Sequence, residues 1–156
     1  MEFKTDIFSV FDKGWALLTA GDKDTFNTMT VSWGGMGTLW GKPVVTVYVR
    51  QSRYTLEFLQ NNDYFTLSMF PEEYKKDLGI LGSKSGRDGD KVALTGLTPK
   101  ALERGVTFAQ ASRTFVCRKL YEQKMDLDAM PEEVLKACYP DKDCHSIFIG
   151  EVEEII

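Results

Sequence analysis

Hydrophobic positions along this chain recur in short runs with a period near two, broken by glycine- and asparagine-containing turns, which is the signature of strands. Ala16–Ala20 continues from Trp15 as a short apolar strand, and Gly21-Asp22-Lys23-Asp24 is a turn. Phe26–Trp33 is rich in Thr, Val and aromatic residues and predicts a strand, whereas Gly34, Gly35, Gly37 and Gly41 predict a tight, irregular connection. Val44–Arg50 is apolar on both faces, as a strand covered on both sides would be. A helix over 53–60 follows, with Ser52 as N-cap and Asn61-Asn62 as its stop.

Tyr64–Phe70 predicts the next strand, and Pro71-Glu72-Glu73 opens a second helix. Residues 79–91, with Gly79, Gly82, Gly86 and Gly89, predict a long loop. Val106–Gln110 and Arg113–Met125 read as strands, the longer with Phe115, Cys117, Lys119 and Tyr121 on one face. Pro131–Cys138 predicts a short helix and His145–Val152 a last strand. Strands outnumber helices without regular strand–helix alternation. The expected class is therefore mainly β: a closed or nearly closed antiparallel barrel with a few peripheral helices. No linker or internal repeat divides residues 1–156, so a single domain is expected.

Charge narrows the function. A formal net charge of −4 argues against nucleic acid as a partner, because binding a phosphate backbone needs a basic footprint. No apolar run reaches the ~18–20 residues of a membrane helix. The first residues, MEFKTDIFSVFDKGW, are acidic and aromatic, unlike a signal peptide. The three cysteines, Cys117, Cys138 and Cys144, are odd in number and lack C-x-x-C spacing, so a reduced cytoplasmic protein is expected. Cys117 alternates with large apolar residues and reads as a core thiol.

Two segments carry candidate chemistry. The junction Arg50-Gln51-Ser52-Arg53-Tyr54-Thr55 has the composition of an anion site, with two cations and two hydroxyls where a strand gives way to a helix. An ordinary Ser cap flanked by solvated arginines has the same composition. Asn27–Trp33 alternates polar with apolar residues and then opens at Gly34-Gly35, as a strand presenting main-chain groups to a flat heteroaromatic ring would. A half-buried strand with a solvated Thr face reads the same way. The segment 79–91 is not a Walker A loop, since Ser83 stands where glycine must precede Lys84-Ser85.

With these segments in view, the chain resembles the flavin reductase-like family, the FMN-binding split barrels that include flavoredoxin-type proteins. The resemblance rests on N-T-M-T-V-S-W-G-G-M-G (27–37) and R-Q-S-R-Y-T (50–55). It is supported by L-G-S-K-S-G-R-D-G-D-K (81–91) and H-S-I-F-I-G-E-V (145–152), all in the family's order. It implies an FMN-binding split β-barrel with Greek-key-like antiparallel strands. It also implies ring and ribityl contacts at Asn27, Thr28, Met29, Thr30, Ser32 and Trp33. Phosphate contacts are implied at Arg50, Ser52, Tyr54 and Thr55, and a closing loop at Ser83, Lys84, Ser85 and Gly86.

The family's usual homodimer, with flavin near the subunit interface, is implied as well. The chain is compact for the family, so an additional specificity element is expected to be missing. The implied activity is an NAD(P)H-dependent flavin reductase passing a hydride to flavin N5, with an electron acceptor the sequence does not name. An FMN-bound electron carrier without its own nicotinamide site is the alternative, and a flavin-free binding module the third reading. His145, the only histidine, reads as a nicotinamide-pocket residue or equally as a hydrogen-bonded structural one. No metal site is expected, since Cys138, Cys144 and His145 lack a second ligand pair at finger-like spacing.

Overall fold

The computed structural model describes residues 1–156. Nine strands form: β1 (Ala16–Gly21), β2 (Phe26–Val31), β3 (Gly34–Leu39), β4 (Lys42–Arg50), β5 (Tyr64–Met69), β6 (Pro99–Leu102), β7 (Gly105–Phe108), β8 (Arg113–Lys124) and β9 (His145–Ile155). Seven of them make one sheet in the order β2-β1-β5-β8-β9-β4-β3, with every neighbouring pair antiparallel. Strands β6 and β7 form a separate hairpin.

The two edges of the large sheet, β2 and β3, are consecutive in the chain and separated only by Ser32 and Trp33. The three Cα steps from Val31 to Gly34 span at most ~11 Å when extended, so the sheet curls until its edges nearly meet. They do not pair, and the barrel is split there rather than closed.

Why each element forms follows from burial. On β2, Met29 and Val31 join Leu18, Val45, Val47, Phe65, Phe115 and Phe148 in the main core. Each of these large apolar side chains contributes roughly 1.5–3 kcal/mol by leaving water. The opposite face of the same sheet region is covered by helix α3 (Lys75–Ser83) and the small hairpin, through Leu17, Leu78, Leu81, Leu97 and Phe108. Cys117 lies in the main core, fully buried, and burial pushes its thiol pKa up, so it packs as an apolar residue.

The structure departs from the sequence reading in several places. Residues 34–39 form a regular edge strand, not an irregular connection. They gain a full ladder against β4, closed by a two-residue turn at Trp40-Gly41. Both turn residues have positive φ (53° and 69°), as a hairpin of the primed type requires. Residues 79–83 belong to α3 rather than to a loop, because Leu78 and Leu81 anchor that helix over β1 and β2.

Helix α2 runs Thr55–Asn61, later than expected, and Ser52 does not cap it. The strand 99–102 was not foreseen. A short α-helical turn α1 (Ile7–Ser9) and a π-helical turn (Val10–Gly14) precede β1 and seat Phe11 in the core. On β8, the register shift between Lys119 and Tyr121, with Leu120 as the extra residue, breaks the expected common face. Phe115 and Cys117 are core, Lys119 donates to the Leu59 and Gln60 carbonyls, and Tyr121 is exposed. Helix α4 (Glu132–Cys138) rides on the long β8–β9 connection.

Candidate functional site

Two clefts open side by side where β2, β4, α2 and the segment after α3 converge, and Arg53 lines both. One is aromatic, about 200 Å³, and is bounded by Met29, Thr30, Ser32, Trp33, Tyr48 and His145, with Arg50 and Gly82. The other is polar, about 190 Å³, and is bounded by Asn27, Ser52, Tyr54, Thr55, Ser83, Lys84, Ser85, Gly86 and Lys91. Every predicted cofactor-contacting residue except Thr28 lines one of the two.

Thr28 departs because its stretch of β2 is covered by other elements. Asn27 and Met29 face the barrel interior, whereas Thr28 turns under the α3 layer. There its hydroxyl lies 2.8 Å from the Thr19 hydroxyl and donates to the Leu18 carbonyl, a satisfied polar pair in the core. Thr30, also on that face, reaches the middle of α3 by donating to the Leu78 carbonyl. Asn27 is buried, and its amide donates to Thr55 Oγ1 at 2.7 Å, tying β2 to the first turn of α2.

The strongest electrostatic feature of the polar cleft is one the sequence reading missed. Lys91 is only 5% exposed, and its ammonium donates to the Leu81 and Lys84 carbonyls. Burial, and then the nearby Arg53 guanidinium, push its pKa down to about 8. Arg53 donates to the Gly82 carbonyl, and burial lowers its pKa too. Neither cation forms an ion pair with a carboxylate. Two desolvated like charges held together without a counter-ion are costly for the protein alone and are what an incoming anion relieves. The signal available in sequence was slight: Lys91 closes the 81–91 segment behind Asp88 and Asp90, and only the fold turns it inward.

Arg50 and Ser52, expected at an anion, are engaged elsewhere. Arg50 Nη1 donates to the carbonyls of Cys138 (3.1 Å) and Asp143 (2.8 Å), and its guanidinium stacks 5.2 Å from the Tyr139 ring centre. It lines the aromatic cleft, not the polar one. The Ser52 hydroxyl and backbone N–H both donate to the Asp143 carboxylate, so its donors are already satisfied. Arg87 closes over this corner, donating to the Ser52 carbonyl, pairing with Glu57 and stacking on Tyr54.

At the far wall of the aromatic cleft, His145 is buried among Trp33, Tyr48 and Tyr139, with ring centres 5.5, 6.5 and 5.5 Å away. Its Nδ1 lies 2.6 Å from the Tyr139 hydroxyl. Burial, and then the charge of Arg50, push its pKa down to about 4 against the opposing pull of Asp143, so the imidazole is neutral at pH 7. No group of three or more His, Cys, Asp or Glu side chains is placed to hold a metal ion.

A third and larger cleft, about 560 Å³, shares Asn27, Tyr54, Gly86 and Lys91 with the polar one but carries the carboxylates Asp24 and Asp90. The arrangement as a whole suits a molecule with a flat ring at one end and a phosphate at the other. Buried Lys91, half-buried Arg53 and the hydroxyls around them fit the phosphate of FMN, and the aromatic cleft fits its ring.

Solved structures share this fold. Flavoredoxin of Desulfovibrio vulgaris (Miyazaki F) is similar at 20% identity and a TM-score of 0.71, covering 100% of this chain and 76% of that one. The styrene monooxygenase flavin reductase of Pseudomonas putida S12 is similar at 19% identity and a TM-score of 0.67, covering 92% and 78%. A protein with a split barrel domain from Shewanella frigidimarina NCIMB 400 is similar at 15% identity and a TM-score of 0.72, covering 99% and 74%. Among curated proteins no relative matches in sequence. The model of the flavin reductase like domain matches residues 8–156, and the chain therefore belongs to that family of split-barrel, flavin-related proteins.

Proposed function

We propose that residues 1–156 form one flavin reductase-like domain that binds FMN and works as an NAD(P)H-dependent flavin reductase. The observation that carries the reading is the pair Arg53 and Lys91, one half-buried and one buried cation without a carboxylate partner, beside an aromatic cleft. In this reading they hold the phosphate, assisted by Asn27, Tyr54, Thr55, Ser83, Lys84, Ser85 and the Gly86 backbone. Met29, Thr30, Ser32, Trp33, Tyr48 and His145 bound the ring.

FMN, when bound, supplies the redox chemistry, taking a hydride from a nicotinamide nucleotide and passing electrons to an acceptor. The chain's own part is to fix the ring, shield one face and leave the other reachable past the half-exposed Trp33. No side chain is assigned as general acid or base.

The second reading is an FMN-bound electron carrier without a nicotinamide site, favoured by the likeness in fold to flavoredoxin. The unpaired cations speak against a flavin-free binding module. We further propose a homodimer. Trp33 and Trp40 are 48% and 63% exposed and flank the edge strand β3, one of whose sides has no partner strand. The three cysteines are free thiols, which suits a reducing compartment and supports assignment to the cytoplasm.

The deciding experiment is an absorbance titration with FMN, followed anaerobically by NADH and NADPH. Rapid bleaching of bound flavin establishes the reductase. Bleaching by dithionite alone establishes the carrier. Failure to bind FMN overturns both. A monomeric mass by light scattering, with FMN bound, would overturn the dimer.

A further inference from the structure

The β8–β9 connection contains a chain of contacts that the binding of a phosphate does not need. Arg50 leaves β4 opposite His145 of β9 and clamps the connection by donating to the Cys138 and Asp143 carbonyls. Its guanidinium also lies on the Tyr139 ring. Tyr139 is thereby fixed with its hydroxyl 2.6 Å from His145 Nδ1. The only other partner of that hydroxyl is Met125 Sδ at 3.7 Å, a far weaker acceptor than an imidazole nitrogen.

The hydroxyl proton therefore goes to Nδ1, and the ring proton sits on Nε2. His145 Nε2 has no protein partner, yet it is not sealed away, since the protein contains no enclosed polar side-chain atom without a hydrogen bond. His145 lines the aromatic cleft and no other major cleft.

The geometry points to Tyr139 as a positioning residue that locks His145 in its Nε2–H form, giving the aromatic cleft a fixed N–H donor for a carbonyl or ring-nitrogen acceptor of the bound heteroaromatic. The lock is a property of the free protein. The donor's use rests on the flavin reading above. A donor whose tautomer is set in advance loses no free energy to tautomer selection when the ligand arrives, which is where the Arg50 and Tyr139 contacts act.

Because His145 is the sole histidine, two-bond ¹H–¹⁵N correlation spectra of the uniformly labelled protein read its tautomer without ambiguity. The free wild type is expected to show Nδ1 as the unprotonated nitrogen, and Tyr139→Phe to show a mixture of both forms. An Nδ1–H form in the wild type, or an unchanged spectrum in Tyr139→Phe, overturns the lock.

Adding FMN, with binding followed separately by quenching of flavin fluorescence, is expected to move the Nε2 resonance and to bind several-fold more weakly to Tyr139→Phe. Quenching without any shift at Nε2 overturns the donor role. Absence of quenching overturns the flavin reading and the donor role together, while the lock stands or falls on the free spectra. If Tyr139→Phe does not fold, Arg50→Lys, which keeps the charge but loses the planar stack, is expected to give the same tautomer mixture, and an unchanged spectrum there overturns the lock.

Discussion

Asn27 and Gly86 meet so closely that a β-carbon added to Gly86 would lie 2.2 Å from Asn27 Oδ1. The contact brings the segment after α3 against β2 at the mouth of the polar cleft, and the same asparagine donates to Thr55 on α2. Three separate stretches of chain thus converge on one buried amide.

Gly86→Ala is expected to push Asn27 off Thr55 and to weaken FMN binding about tenfold or more, the ~1.4 kcal/mol that tenfold represents being within reach of one lost buried hydrogen bond. Gly79→Ala, at a helical glycine whose added β-carbon meets nothing within 4 Å, is the control. It should bind FMN as the wild type does and gain about 0.5–1 kcal/mol in stability. Equal FMN affinities for the two variants would remove Gly86 from the site.

Arg53 and Arg50 should separate by ligand. Arg53→Ala, which removes a cation from the polar cleft, is expected to weaken FMN by roughly tenfold or more while leaving riboflavin, which lacks the phosphate, nearly unchanged. Arg50→Ala, which loosens the 138–143 connection and the aromatic cleft, should weaken both flavins by a similar factor. A selective loss of FMN in Arg50→Ala would return Arg50 to the phosphate. The measurement is a paired fluorescence titration of each variant with both flavins.

Lys91 should make FMN affinity depend on pH. Its pKa in the free fold is about 8 against an ordinary 10.5, so the charge that attracts a phosphate is lost as pH rises through 8. FMN binding is expected to weaken steadily from about pH 7.5 to 9.5. The stability of the free protein should move the other way. Between about 8 and 10.5 the unfolded chain holds the Lys91 proton and the folded one does not, so this group's contribution rises with pH. Lys91→Met should lose both slopes. A flat FMN affinity across this range would show that Lys91 does not face the phosphate.

His145 should weaken the fold in acid. Its folded pKa of about 4 lies below its ordinary 6.5, so the unfolded chain takes up a proton first. Stability attributable to this group is fully present above about pH 6.5 and falls as pH drops toward 4. His145→Gln removes that slope. Midpoints of urea unfolding at pH 7 and pH 4.5, compared between wild type and variant, isolate the effect from the carboxylates that titrate nearby. Parallel changes in the two proteins would contradict the buried neutral imidazole.

The sequence by itself determined the strand-rich class, most strand positions and the segments that line the two clefts. Alternation places one face of each strand in a core, and that information is local: Met29 and Val31 point inward because the residues around them are polar or aromatic at the right spacing. Tertiary structure decided which side chains of those segments reach the clefts. Arg50 and Arg53 are three residues apart with the same chemistry, yet one clamps the β8–β9 connection and the other lies between the two clefts. Thr28 and Thr30 share a face of β2, but Thr28 ends under α3 and the small hairpin while Thr30 reaches the aromatic cleft. Lys91 reads as a solvated loop cation until the turn after α3 folds it beneath Leu81 and Lys84. Arg50, Arg53 and Thr30 are placed by partners 29 or more residues away, and Thr28 and Lys91 by partners 7 to 10 residues away that only the backbone path between elements brings near. The energy of desolvating a charge is set by that surrounding structure, not by the residue's neighbours in sequence.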